Sequence, residues 1–250
     1  MDLGLTDRVA LVAGASKGIG RAIAAALVAE GARVAVSSRS RERIDAAAAQ
    51  IGATGFEWDS ADLESVPELL ASVESGLGGP IEVLVCNTGG PPAGPDPLGF
   101  GTSEWEAAHR SLVLAPMALL GAALPGMRER GWGRVLNVAS SSVREPLPSL
   151  MLSNAERSAA LAAFKTVARE VAADGVTLNT VLPGRILTDR LTSLAGSEEA
   201  VRQAAAEQVP AGRPGTVEEF AAVAAFLCSE RASYVTGAAV PVDGGLLRAI

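Results

Sequence analysis

A short apolar run, Arg8–Ala13, leads directly into Gly14-Ala15-Ser16-Lys17-Gly18-Ile19-Gly20, and from there into an alanine-rich stretch, Ile19–Glu30, that stops at Gly31. A strand, a glycine turn and a helix in immediate succession leave few folds open. Small residues in such a turn let the backbone approach a ligand closely, and the unpaired N–H groups opening the helix favour a phosphate there. The unit therefore reads as the phosphate turn of a dinucleotide-binding fold. Tight packing alone would ask for the same glycines, so the turn by itself leaves that alternative open.

The rest of the chain repeats the pattern. Arg33–Ser37, Ile81–Cys86, Arg134–Ala139, Val176–Val181 and Ala238–Val242 are near-continuous apolar runs, as strands of a sheet covered on both faces require. Helical stretches lie between them: Arg41–Ile51 ends at Gly52, and Val217–Ser229 follows Thr216, a candidate N-cap with Glu219 three residues on. Strands alternating with helices predict an α/β fold, a doubly wound parallel sheet of about seven strands with helices on both faces. At 250 residues and 48% hydrophobic content, one domain is expected. Gly89–Gly101, rich in glycine and proline, is the long irregular loop of the first half.

A formal charge of −7 speaks against nucleic acid or an anionic membrane surface as partner, since both reward clustered cations. Cys86 and Cys228 sit in apolar segments and are too few for a disulfide framework, which fits reduced thiols in the cytoplasm. No basic region precedes the first apolar run, so no secretory signal is expected. The uncharged stretch Ser111–Met127 carries Pro116, Gly121 and Pro125 and is short for a membrane span, which predicts a buried or subunit-interface helix. One histidine and two distant cysteines predict no metal site.

Several further motifs carry a resemblance to the short-chain dehydrogenase/reductase family. They are the glycine turn in that family's spacing, Cys86-Asn87-Thr88-Gly89, Pro183-Gly184 with Thr188, Tyr234-Val-Thr-Gly and Val242-Asp-Gly-Gly. The resemblance spans nearly the whole chain and implies one Rossmann domain binding a nicotinamide cofactor. It assigns cofactor contacts to Gly14, Ser16, Lys17, Gly18, Ile19, Gly20, Ser38, Arg39, Asp59 (at the adenine), Asn87, Gly89, Pro183, Gly184 and Thr188. It also implies a homotetramer or homodimer, assembled through the helices that hold Leu112 and Arg157.

The choice of cofactor rests on charge. A carboxylate about twenty residues past the glycines would take the 2′-hydroxyl of NAD, but after Val34-Ala35-Val36 come Ser37, Ser38 and Arg39. Lys17 and Arg39 are placed to bracket a 2′-phosphate, so NADP(H) is expected.

At the reactive centre the chain departs from the family. A serine followed thirteen residues later by Tyr-x-x-x-Lys is the family's pattern; here Ser140 is followed by Ser153 and Arg157, and Leu112 stands where a relay asparagine is expected. The single tyrosine, Tyr234, lies elsewhere. Lys165 is eight residues beyond Arg157, about 12 Å along a helix. Serine ionises far less readily than tyrosine, and arginine does not release its proton, so the Tyr–Lys chemistry is not available. A positioned general acid is worth about 10²–10⁴-fold, so reduction of a simple ketone should be slow. Ser140, Ser153 and Arg157 can still stabilise an oxyanion without protonating it. That suits hydride addition to an activated C=C or an electrophilic carbonyl of a small molecule. Two alternatives stay open: a cofactor-binding regulatory or partner subunit, and a ketoacyl reductase with a substitute proton donor. His109 is one such donor candidate. Glu156 is expected to face solvent, and Arg144 and Glu145 to lie at the substrate mouth. Gly131 and Asp174 occupy the positions where the family's carrier-protein enzymes place basic residues, so an acidic carrier should be repelled. Residues 189–214 are expected to form the lid.

Overall fold

The computed structural model describes residues 1–249. Seven strands form one parallel sheet: β1 (Val9–Ala13), β2 (Arg33–Ser38), β3 (Thr54–Glu57), β4 (Val83–Cys86), β5 (Gly133–Val138), β6 (Val176–Pro183) and β7 (Ala239–Val242), in the order β3-β2-β1-β4-β5-β6-β7. The strands fall within a residue or two of the apolar runs in the sequence. The strand without such a run is β3, a short edge strand whose four residues are each at least partly exposed. In β1, β4 and β5 every residue is buried, and burial on both faces explains their apolar composition.

The helices are α1 (Gly18–Ala29), α2 (Arg41–Ile51), α3 (Val66–Leu77), α4 (Thr102–His109), α5 (Ala115–Glu129), α6 (Met151–Val171), α7 (Asp189–Ala195), α8 (Glu198–Gln208) and α9 (Val217–Leu227). One face of the sheet packs on Ile23 and Leu27 of α1 and Phe220 of α9. The other packs on Leu69 of α3, Leu119 and Met127 of α5 and Phe164 of α6. As the sequence predicts, Thr216 caps α9: its hydroxyl accepts from Glu219 N at 3.2 Å, and the Glu219 carboxylate accepts from Thr216 N at 2.9 Å. The reciprocal pair satisfies two N–H groups that the first turn of a helix leaves without partners.

Between α4 and α5, residues Arg110–Leu114 form a π-helical turn, so Thr102–Glu129 is one continuous helical run. The run is long and apolar enough to cross a membrane, with 44% of its most apolar window buried. Leu119, Leu120, Ala123 and Met127 carry the buried face, and Leu114 points outward.

The strand order reverses between the central neighbours β1 and β4, from which the sheet grows in opposite directions, to β3 at one edge and β7 at the other. Crossover connections leave on opposite faces at such a point, opening a crevice beyond the carboxyl ends of the strands.

Candidate active site

The crevice is a cavity of about 660 Å³. Its floor is the glycine turn. Gly14 has φ of 62° and lies so close to the Asn87 carbonyl that a Cβ would collide with it. Asn87 in turn donates from Nδ2 to Gly14 O at 2.9 Å, stitching the end of β4 to the turn after β1. Gly20 packs against the same turn: a Cβ there would sit 2.5 Å from Gly14 O. Gly18, φ 58°, opens instead into the cavity. The turn thus leaves a backbone-lined cradle at the N-terminus of α1.

Ser140, Ser153, Arg157 and every residue expected to contact the cofactor line this cavity, except Asp59. The Asp59 carboxylate accepts from Ala61 N at 3.0 Å, within its own turn, and the neighbours Trp58 and Ser60 face the cavity instead. At the end of β2 stand Ser38 and Arg39, joined by Arg43 one turn into α2.

On the opposite wall, Ser140 follows β5 and its hydroxyl accepts from Ser142 N at 3.1 Å, which orders the short turn Ser141–Val143. Ser153 and Arg157 share a face of α6 one turn apart. Arg157 Nε donates to Ser153 Oγ at 3.2 Å and Nη1 to Val138 O at 2.7 Å. No carboxylate pairs with Arg157 among the described residues. Loss of hydration, reinforced by repulsion from Arg190, pulls its pKa down to about 10.

Arg190, in the first turn of α7, received no role in the sequence. It reaches across the cavity mouth and donates to Gly90 O at 3.1 Å and Pro91 O at 2.9 Å. Burial lowers its pKa as well. Of the predicted lid, residues 189–214, it is α7 that meets the cavity, through residues such as Leu191 and Leu194. Asp189 beside it is held by Lys17 at 3.0 Å.

Two expectations fail here for reasons of packing, the solvated Glu156 and the Arg144–Glu145 pair at the substrate mouth, while other residues stand away from the cavity as expected. His109 does not line the cavity; its Nδ1 lies 2.8 Å from Glu156 Oε2. Glu156 is correspondingly buried, not solvated. Glu145 Oε1 accepts from Arg248 N at 2.6 Å and Ala249 N at 2.8 Å, so it anchors the C-terminal segment, and neither it nor Arg144 lines the cavity. Asp174 is paired with Arg128 at 2.6 Å. Tyr234 is fully exposed, and Lys165 donates to Gly237 O at 2.7 Å. Neither reaches the site. Leu112 is buried in the π-helical turn.

Residues 14–247 match a family profile described as enoyl-(acyl carrier protein) reductase. An acetoacetyl-CoA reductase of Shinella zoogloeoides is 33% identical, over 96% of this chain and 98% of that protein. A 3-oxoacyl-[acyl-carrier-protein] reductase of Pseudomonas aeruginosa is 37% identical, over 98% of this chain and 99% of that protein. Among solved structures, an NADPH-dependent reductase of bacilysin biosynthesis superposes with a TM-score of 0.91 at 28% identity, over 98% of this chain and all of that one. L-sorbose reductase from Gluconobacter frateurii, complexed with NADPH and L-sorbose, superposes over the full length of both chains with a TM-score of 0.91 at 33% identity.

Proposed function

The chain belongs to the short-chain dehydrogenase/reductase family of oxidoreductases, and from that premise we propose that it is an NADP(H)-dependent reductase of activated double bonds in small molecules. The single observation that carries this reading is the Ser153–Arg157 pair, set in the cavity where a proton-donating tyrosine and its lysine are expected.

The residues present fit the cofactor. The cradle at Gly14, Gly18 and Gly20 would be filled by side chains, and the N-terminus of α1 faces it for a pyrophosphate. Ser16 and Ile19 flank that cradle. Ser38, Arg39, Arg43 and Lys17 line the same end of the cavity. They supply hydroxyl and cationic donors for a 2′-phosphate, with no carboxylate at the end of β2 to repel it. Gly89, Pro183, Gly184 and Thr188, on the cavity wall, would border the nicotinamide half. Bound NADPH supplies the hydride.

Hydride addition to the β-carbon of an α,β-unsaturated carbonyl moves the π electrons onto the carbonyl oxygen. The resulting enolate takes its proton from water at the α-carbon. Arg157 places a fixed charge and free N–H groups at that oxygen, while Ser140 and Ser153 add hydroxyl donors. None has to give up a proton. A ketone reduced directly would yield an alkoxide that needs one, and this wall holds no group to deliver it. Assembly as a homotetramer or homodimer through α5 and α6 is part of the same proposal.

NADPH consumption across matched pairs of simple ketones and α,β-unsaturated ketones tests the reading. Enone reduction at least about 10²-fold faster is expected. Comparable rates on the simple ketones would overturn it. A chain that binds NADPH and reduces neither would be a partner subunit, the reading favoured by Ser153 and Arg157 satisfying one another. Restoring Ser153→Tyr, Arg157→Lys and Leu112→Asn together should raise ketone reduction on the same scaffold.

A further inference from the structure

Five cationic side chains, Lys17, Arg39, Arg43, Arg157 and Arg190, line the cavity against a single carboxylate, Asp189, in a chain whose net charge is −7. That concentration is local. Lys17, Arg39 and Arg43 stand beside the glycine turn and the end of β2, where the cofactor's phosphates are accounted for; Lys17 also holds Asp189. Arg157 and Arg190 stand on the other side, where the loop after β4 meets the end of β5, and no carboxylate among the described residues pairs with either. Their hydrogen bonds go to neutral groups, the carbonyls of Val138, Gly90 and Pro91 and the Ser153 hydroxyl.

Two guanidinium groups facing one cavity and bonded to neutral oxygens alone keep uncompensated charge. A planar anion is the ligand that neutralises it, because the guanidinium fork matches a carboxylate. Gly90 supports the reading. A Cβ at that position would meet the Arg190 guanidinium, so the arginine rests against a glycine and would have to shift if that residue carried a side chain.

We propose that Arg157 and Arg190 form a carboxylate-recognition site, so that the substrate is a free unsaturated keto acid and not the corresponding ester or thioester. The proposal rests on the cavity being the hydride-transfer site and names the substrate class for it. Arg157 then serves the carbonyl oxygen and the carboxylate from one fork, and Arg190 acts on the carboxylate alone.

The test measures binding without turnover. The protein saturated with NADP⁺ is titrated calorimetrically with 4-oxopentanoate and, separately, with its methyl ester, both lacking the double bond. The acid should bind at least about tenfold more tightly, the ordinary worth of a charge-assisted hydrogen bond. Arg190→Met should remove the difference, Arg190→Lys should keep part of it, and Gly90→Ala should reduce it by displacing the arginine. NADP⁺ affinity, measured for every variant, identifies those that still fold; should Arg190→Met not fold, Gly90→Ala carries the comparison. Equal affinity for acid and ester in the unaltered protein overturns the proposal, as does a preference for the acid that survives both Arg190→Met and Gly90→Ala. The readout needs no reduction, so a failure of enone turnover leaves it intact, and its own failure leaves the ene-reductase reading standing.

Discussion

Replacing Arg157 by methionine is expected to raise the melting temperature while abolishing reduction. The guanidinium is withdrawn from water without a carboxylate, which brings its pKa down to about 10. At about 1.4 kcal/mol for each tenfold change in proton affinity, holding the charge inside costs roughly 3 kcal/mol relative to the unfolded chain. Because the folded pKa lies below the unfolded one, this cost is constant below about pH 10 and fades only as pH rises above that towards the ordinary arginine range. Two hydrogen bonds oppose it, to Val138 O at 2.7 Å and Ser153 Oγ at 3.2 Å. Each is worth about 1 kcal/mol net. Methionine keeps an unbranched apolar stem in the same space. The balance favours the variant by about 1 kcal/mol, or roughly 2–4 °C for a chain of this size. Scanning calorimetry at neutral pH without cofactor measures the stability. Steady-state NADPH oxidation with an enone measures the loss, about 10²–10³-fold in kcat for one oxyanion donor. A melting temperature that falls by several degrees would refute the reasoning, since it would show the arginine to be satisfied in the free protein.

Arg39→Asp should reverse the cofactor preference, with NADPH affinity falling about tenfold or more relative to NADH, as read by nicotinamide fluorescence titration. His109→Ala leaves the buried Glu156 carboxylate without its partner at 2.8 Å. Chemical denaturation should then show a loss of about 1–3 kcal/mol. NADPH affinity should be unchanged, because neither residue lines the cavity. The Arg213 guanidinium, with the Thr216 N–H, holds the Glu219 carboxyl down to about 2. A depressed carboxylate stabilises the fold above its unfolded pKa and loses that contribution as pH falls towards 2, so Glu219→Gln should flatten the pH dependence of the melting temperature between about pH 5 and 2.

The sheet and its glycine turn were legible because their signals are local: each central strand is an unbroken apolar run, and the Gly14–Gly20 spacing is complete within seven residues. Strand β3 lacks such a run because its position at the edge leaves Thr54 and Glu57 exposed. The Ser153–Arg157 pair follows from its spacing after Ser140, again within one segment. What stayed hidden depends on chain segments far apart. Arg190 acquires a role through the carbonyl of Gly90, 100 residues earlier, and His109 is drawn from the cavity by Glu156, 47 residues later. Asp59 departed for a different reason. An aspartate in a turn competes for its own backbone N–H groups, and here Ala61 N wins its carboxylate.

Serine and arginine in place of tyrosine and lysine invite the view that this centre has simply decayed, and the energetics of Arg157 argue against it. A position freed from function drifts towards residues that the fold tolerates easily, and at the edge of a partly buried cavity those are apolar or small polar side chains. A cation there carries a net cost that methionine would not, about 1 kcal/mol on the balance above. Its charge is opposed by lost hydration and by a second cation, and its hydrogen bonds to Val138 O and Ser153 Oγ recover only part of the penalty. The fold gains nothing from it that methionine would not supply. Arg190 repeats the pattern from another helix, aimed at the same space and fitted over a glycine. Two independent segments that each hold a guanidinium without a carboxylate partner at one cavity point to a shared anionic ligand, because binding it compensates both charges.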